Sequence, residues 1–139
     1  MPTPADHLAL ARAADDTAVL HRLAQCPYPF VWQALAANPA TAPDTLLELS
    51  TAGDSGWNDN RLLCLLAAHP RADRAVLRAV RDAVAVKLAE GERPYAAALA
   101  LAERPELAAE EVRQLTGLRG ASARLRGRIE RSLAGRVRA

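Results

Sequence analysis

The side chains best suited to catalysis or metal binding are few in this chain and lie far apart. The three histidines, His7, His21 and His69, fall in three different segments, and Cys26 and Cys64 show no short ligand spacing. A zinc site needs such side chains to converge, and a nucleophile needs a neighbouring base. The chain also lacks a glycine-rich phosphate loop, a nucleophile elbow and a His-Glu-x-x-His pair. We therefore predict no catalytic residue, no metal site and no cofactor, and we expect that the protein is not an enzyme.

Four glutamates, Glu103, Glu106, Glu110 and Glu111, form an acidic cluster. On a helix, Glu106 and Glu110 would lie one turn apart, where they could act as a pair of carboxylates. However, acids at the start of a helix are stabilised by the positive end of its dipole. We therefore interpret the cluster as the solvated first turn of a helix.

The strongest charge asymmetry lies at the carboxyl end of the chain. Residues 118–139 hold seven arginines and one acid and carry +6; because the whole chain carries +2, the remainder carries −4. Leu125, Ile129 and Leu133 recur every four residues and predict a helix that packs on its predecessor. We interpret this helix as a cap with a polar outer face, and nucleic-acid binding is the alternative. The arginines are Arg119, Arg124, Arg126, Arg128, Arg131, Arg136 and Arg138.

Three further residues are candidate partner contacts. Trp57 lies in a predicted loop at residues 51–60, and an exposed tryptophan is typical of a binding hot spot. The other interpretation of Trp57 is that it folds back over the adjacent helix. Arg78 and Arg81 lie on the polar face of a long predicted helix, and they would join the carboxyl-terminal arginines if the protein bound nucleic acid.

The composition predicts an all-α fold. Alanine and leucine dominate the apolar residues, whereas aromatic residues, which favour strands, make up only 4% of the chain. Thr3–Asp6 and Thr41–Asp44 have the pattern of capping boxes at helix starts. Helices are predicted at about 4–14, 16–25, 29–37, 43–51, 59–68, 73–89, 94–103, 106–116 and 120–135.

Three prolines mark an internal repeat. Pro39, Pro70 and Pro105 are separated by 31 and 35 residues, and each lies between two apolar helical segments. Because proline excludes the residue before it from the helical conformation, each should follow a helix end. His69, immediately before Pro70, is placed to cap the last carbonyl groups of its helix.

The segment Ala34-LAANPATAPDTLLELS resembles the leucine-rich-repeat-variant motif and related HEAT-like repeats of bacterial proteins. The resemblance implies helices stacked in a right-handed superhelix. Founding members of the variant-repeat group are associated with a cysteine-rich iron–sulfur segment, which this chain with its two cysteines lacks. We therefore predict an all-α, right-handed α-solenoid of about four helical-hairpin repeats with a basic capping helix. The predicted repeats are 3–26, 28–52, 58–90 and 93–117, followed by the helix at 119–137, all in one domain.

The function expected of such a stack is binding. The concave face of stacked repeats carries side chains that do not contribute to packing, and it usually holds a protein or peptide. The first hypothesis is therefore a protein-interaction scaffold, and the second is a HEAT-like nucleic-acid-binding protein that uses the carboxyl-terminal arginines. The absence of a secretory signal pattern and of a long apolar stretch predicts a cytoplasmic protein without membrane attachment. The oligomeric state stays open.

Overall fold

A computed structural model of the chain describes residues 2–138, with side chains as far as residue 136. Within these residues it contains nine α-helices, one short 3₁₀ segment and no strand, so the prediction of an all-α fold is confirmed. The helices are α1 (Pro4–Ala13), α2 (Thr17–Leu23), α3 (Pro29–Ala37), α4 (Pro43–Leu49), α5 (Gly56–Ala68), α6 (Arg74–Ala89), α7 (Tyr95–Ala102), α8 (Ala109–Arg113) and α9 (Ala123–Arg138), with the 3₁₀ segment Gln114–Gly117 between α8 and α9.

The odd-numbered helices α1, α3, α5, α7 and α9 form one row in which each helix packs against the next. Each even-numbered helix packs on the odd-numbered helix before it, and α4 also packs on α6. Leucine and alanine side chains fill a core that runs through all of these contacts, and Leu35, Leu66 and Leu101 are fully buried. Burial of one leucine side chain stabilises the fold by about 2 kcal/mol, so this core is the main source of stability.

Contacts at both ends show that neighbouring odd-numbered helices run in the same direction. At the amino ends of α7 and α9, the Tyr95 hydroxyl donates to the Gly120 carbonyl oxygen at 2.7 Å. At their carboxyl ends, Arg136 Nε donates to the Ala102 carbonyl oxygen at 2.9 Å. The other pairs show the same pattern, so the carboxyl ends of the whole row collect at one edge.

The carbonyl groups at this edge are bonded by side chains from the next odd-numbered helix. Asn38, after α3, donates through Nδ2 to the carbonyl oxygens of Ala11 at 2.9 Å and Ala14 at 2.8 Å, at the end of α1. His69, after α5, bonds the Asn38 carbonyl oxygen through Nε2 at 2.7 Å. Its Nδ1 accepts from the Arg71 backbone N–H at 3.0 Å, which makes Nε2 the protonated nitrogen.

Two arginines continue the same pattern. Arg104, after α7, donates to the carbonyl oxygens of Ala67, His69 and Ala72 over distances of 2.8–3.0 Å. Arg136, in α9, donates to four carbonyl oxygens at the end of α7 over 2.6–3.2 Å. We call the side chains of Asn38, His69, Arg104 and Arg136 the carboxyl-end ladder.

The ladder follows the internal repeat of the sequence. Its first three members immediately precede Pro39, Pro70 and Pro105, and the helices end two or three residues before these prolines, as the sequence predicts. Arg136 follows Arg104 by 32 residues and takes the equivalent place without a proline. The sequence analysis expected His69 to cap its own helix. Its ring instead caps the helix before, because the parallel packing brings the two carboxyl ends together.

Two predicted helix starts differ in the structure. Helix α4 has Ala42 as its N-cap in place of Thr41. The side chain of Thr41 is buried and donates instead to the Leu35 carbonyl oxygen at 2.7 Å, which satisfies its hydroxyl group away from solvent. Helix α8 begins at Ala109, so Glu106 lies before it and pairs with Arg104. Of the four glutamates in the acidic cluster, only Glu110 and Glu111 therefore lie in the first turn of α8. The predicted capping box at Thr3–Asp6 is confirmed.

A close backbone approach fixes the start of α9. The Gly120 N–H donates to the Leu88 carbonyl oxygen at 2.7 Å, at the end of α6. A Cβ atom at Gly120 would lie 2.3 Å from the Glu92 carbonyl oxygen, so only glycine fits here. Gly91, with φ of 86°, ends α6 in the left-handed region that glycine tolerates, as expected for a helix stop.

Replacement of the last ladder side chain should destabilise the protein. Arg136→Ala removes four hydrogen bonds to the end of α7 and leaves those carbonyl groups without this partner, so the free energy of unfolding should fall by about 2 kcal/mol. Arg131→Ala, an exposed site on the same helix, is the matched control and should change it by less than about 0.5 kcal/mol. Urea denaturation of both variants measures the difference, and equal values would contradict the capping role.

The His69 contact should make stability sensitive to mild acid. Burial lowers the pKa of His69 below its ordinary value of 6.5; the bond to Asn38 opposes this effect, and Arg71 and Arg104 nearby add to it. Because the unfolded chain takes up the proton first, the stability from neutral His69 is complete above about pH 6.5 and is lost as the pH falls through the folded-state pKa. A protonated Nδ1 would also face the Arg71 N–H donor.

As the pH is lowered from about 7 to about 5, the melting temperature of the His69→Asn variant should therefore fall less than that of the wild type. Asparagine is the matched replacement because Asn38 makes the same two kinds of contact one repeat earlier. Carboxylates with lowered pKa values, such as Glu106, lose their contribution only at lower pH. Parallel melting curves for the two proteins would contradict the prediction.

Candidate binding surface

The histidines and cysteines stay apart in the folded chain. Among the described residues, no group of three or more histidine, cysteine or acidic side chains is arranged to hold a metal ion. His21 Nδ1 lies 2.8 Å from Thr45 Oγ1. Cys26 and Cys64 carry free thiols and are half-buried rather than fully buried, because each lines a surface cavity. Burial raises the pKa of Cys64, although Arg61 opposes it, so this thiol is protonated and weakly nucleophilic at neutral pH.

The arginines that the sequence analysis selected on α6 bind the start of α8. Glu111 accepts from Arg74 Nη2 at 2.9 Å and from Arg78 Nε at 3.1 Å, and Arg81 Nε donates to the Glu111 carbonyl oxygen at 3.0 Å. Desolvation pushes the pKa of Glu111 upward, but the two guanidinium groups outweigh it and lower the pKa. Arg78 and Arg81 thus lie between even-numbered helices, and the structure does not bring them together with Trp57.

The carboxyl-terminal arginines separate into several roles. Arg136 uses most of its N–H groups in the carboxyl-end ladder. Arg126 Nη1 donates to the Ala121 carbonyl oxygen at 3.0 Å, just before its own helix. Arg119 lies over Gly91, where its Nε would be 3.7 Å from a Cβ atom. Arg136 and Arg126 therefore bind the protein's own backbone, and Arg119 lies beside Gly91.

The remaining carboxyl-terminal arginines face outward. Arg124 and Arg128 line a cavity between α7 and α9, and Arg131 is exposed on the same helix. The side chain of Arg138 lies outside the described residues. The leucine and isoleucine positions selected from the sequence, Leu125, Ile129 and Leu133, are buried as expected for a helix that packs on its predecessor.

Trp57 lies in the first turn of α5 and not in a loop, which corrects the sequence-based prediction. The helix begins at Gly56 because Ser55 acts as its N-cap and accepts from the Asn58 N–H at 3.3 Å. The Asp59 carboxylate accepts from the Asp54 N–H at 2.8 Å and ties the preceding turn to the helix. Trp57 is 73% exposed, so it does not fold back over its helix.

Three cavities lie end to end along the odd-numbered helices. The first cavity, of about 320 Å³, is lined by α1, α3 and α5. The second, of about 310 Å³, lies between α5 and α7. The third, of about 500 Å³, lies between α7 and α9. The first two share Arg61 and Leu65, and the last two share Arg93 and Tyr95, so they form one continuous groove. We call it the odd-helix groove. Its main lining residues are Arg12, Phe30, Trp57, Asn60, Arg61, Cys64, Leu65, Arg93, Tyr95, Arg124 and Arg128.

The charge of this groove is entirely positive. Five exposed arginines line its three cavities, and no aspartate or glutamate does so. None of the five forms an ion pair with a carboxylate in the described part of the chain. A concave site lined by one sign of charge focuses the electric field and attracts ligands of the opposite sign. These arginines are Arg12, Arg61, Arg93, Arg124 and Arg128.

Sequence reasoning selected only part of this groove. Trp57, Arg124 and Arg128 were candidate contacts, whereas Arg12, Arg61 and Arg93 were missed. The available signal was weak: Arg12 and Arg61 each lie four residues from a leucine, Leu8 or Leu65, on one flank of a helix, and Arg93 only precedes a helix. Such a pair also occurs on any solvated helix, so only the packing of the row shows that these flanks meet.

No protein-family model, curated protein or solved structure matches this chain. The surface must therefore be interpreted from its own geometry and charge. Within residues 2–138, no helix combines the length and the apolarity needed to cross a membrane.

The two tryptophans should report different environments. Trp32 is half-buried, and its indole N–H donates to the Cys26 carbonyl oxygen at 2.6 Å, whereas Trp57 is largely exposed. The Trp32→Phe protein, which retains Trp57, should therefore emit at longer wavelength and be quenched more strongly by acrylamide than the Trp57→Phe protein. Equal quenching of the two single-tryptophan proteins would show that Trp57 is covered in solution.

Proposed function

We propose that the protein is a non-enzymatic interaction module that binds a protein or peptide in the odd-helix groove. The observation that carries this proposal is the groove itself, which is continuous across five helices, positively charged and lined by an exposed tryptophan. Stacked helical repeats commonly bind partners on the extended concave surface that their curvature creates. From the parallel row of odd-numbered helices and the resemblance of residues 34–50 to HEAT-like repeats, we further propose a right-handed α-solenoid with the groove on its concave face.

A catalytic role receives no support from the side chains at the groove. The acids that might supply general acid–base chemistry lie elsewhere, with Glu106 and Glu111 held in ion pairs. Cys64, which does line the groove, has a raised pKa and no neighbouring base among the lining residues. Binding, and not turnover, is the activity that this set of residues favours.

Nucleic-acid binding is the second candidate, and one observation favours it. Arg124 and Arg128 join the other groove arginines in a row that could contact successive phosphates. Two observations weaken it: Arg136 is occupied by the carboxyl-end ladder, and Arg78 lies between even-numbered helices in contact with Glu111. The carboxyl-terminal arginines therefore do not act as one phosphate-binding surface in the way that the sequence analysis considered.

Capture of a partner from the native host by the immobilised protein tests the proposal. The Arg93→Glu variant reverses a charge at the junction of two cavities and should weaken retention of the partner at least about tenfold, since each tenfold step corresponds to about 1.4 kcal/mol. Arg22→Glu is the matched control: it makes the same charge change at an exposed site on α2, outside the groove.

Nuclease treatment of the lysate separates the two candidates. The wild type and Arg22→Glu should retain the same protein before and after treatment, because the contact is with the protein itself. Loss of all retained protein after treatment would favour the nucleic-acid alternative. Equal retention by Arg93→Glu and Arg22→Glu would show that the groove is not the binding site.

A further inference from the structure

The middle cavity of the groove lies between the amino-terminal parts of α5 and α7. Asn60 belongs to its wall, but the Oδ1 atom of Asn60 is buried from solvent and is therefore out of reach of a ligand in the cavity. Contacts to a ligand must come from the other lining residues.

The rest of this cavity is mainly apolar. Cys64, Leu65, Pro94 and Ala97 form its walls, and Trp57 stands at its rim. A cavity of about 310 Å³ is at the small end of the range for ligand sites, and it accommodates one large side chain. These apolar walls fit a large apolar side chain of a bound peptide.

The charges around the cavity define the rest of the ligand. Arg61 and Arg93 stand at its two ends, where it joins the neighbouring cavities, and neither forms an ion pair with a carboxylate in the described residues. A peptide that crosses the cavity would place its flanking residues beside these guanidinium groups. Carboxylates are the complementary side chains, and arginine binds them through paired N–H groups.

We propose that the odd-helix groove binds an extended acidic peptide segment whose large apolar side chain enters the cavity between α5 and α7. Acidic residues on either side of that anchor residue pair with Arg61 and Arg93. Trp57 covers the anchor from the rim. This inference rests on the function proposed above and specifies the class of partner.

A single-stranded nucleic acid fits these observations less well. Base stacking along a strand needs a series of open aromatic faces. Phe30 is 43% exposed but stacks on Tyr28 with ring centroids 5.4 Å apart, and Tyr95 is half-buried with its hydroxyl bonded to Gly120. Trp57 and the other face of Phe30 lie in two different cavities, so they do not form such a series.

A cavity-filling variant tests the cavity directly. Ala96→Phe fills the cavity from the second residue of α7 and should weaken peptide binding about tenfold. Ala75→Phe, the same change at the exposed second residue of α6, is the control and should bind as the wild type does.

The probes are fluorescent synthetic peptides of alternating aspartate and serine with one central phenylalanine, leucine or alanine. Anisotropy should show binding of the phenylalanine or leucine peptide and about tenfold weaker binding of the alanine peptide. Oligothymidine and single-stranded RNA serve as competitors. Absence of binding by the anchored peptides, equal binding of the alanine peptide, unchanged binding by Ala96→Phe, or preferential binding of the oligonucleotides would each overturn the inference.

These outcomes are distinguishable from failure of the proposed function. If Arg93→Glu loses a captured host protein while Ala96→Phe retains it, the groove is the binding site but the anchor cavity is not used. If Arg93→Glu retains that protein as well as Arg22→Glu does, the proposed function fails together with this inference.

Discussion

The parallel arrangement of the odd-numbered helices is the constraint on which the rest of the structure depends. Parallel packing gathers their carboxyl ends, with unpaired carbonyl groups and the negative ends of the helix dipoles, at one edge. The carboxyl-end ladder supplies donors to these carbonyl groups, from the amide of Asn38 through the imidazole of His69 to the guanidinium groups of Arg104 and Arg136. Each ladder side chain joins two neighbouring repeats, so it also fixes the position of one helix along the next.

The same arrangement has the opposite effect at the other edge of the row. The amino ends of the helices, with the positive ends of their dipoles, collect there, and Trp57, Tyr95 and Arg124 all belong to the first turns of their helices. The groove arginines add charge of the same sign to a surface that no acid lines. Positive potential at the two cavities between α5, α7 and α9 is thus a consequence of helix direction as well as of residue type, whereas the first cavity reaches the carboxyl end of α3 at Asn38 and owes its positive charge to its arginines alone.

Arginine serves three different purposes in this small chain. On the even-numbered helices it forms ion pairs, as Arg74 and Arg78 do with Glu111. In the carboxyl-end ladder it binds backbone carbonyl groups, and in the groove it remains without a carboxylate partner within the described residues. Because the net charge is only +2, the character of the groove depends on where the charges lie and not on their total.

The sequence by itself determined the helices. Alanine and leucine predicted the all-α class, and Pro39, Pro70 and Pro105 predicted the helix ends. The spacing of Leu125, Ile129 and Leu133 predicted the buried face of α9. These effects could be predicted because each acts within one or two helical turns. Only the tertiary structure decided which side chains meet. The Arg136 side chain binds carbonyl groups after α7. Arg61 and Arg93 line the same cavity although 32 residues separate them. The sequence could not show either contact, because both depend on the direction and packing of whole helices.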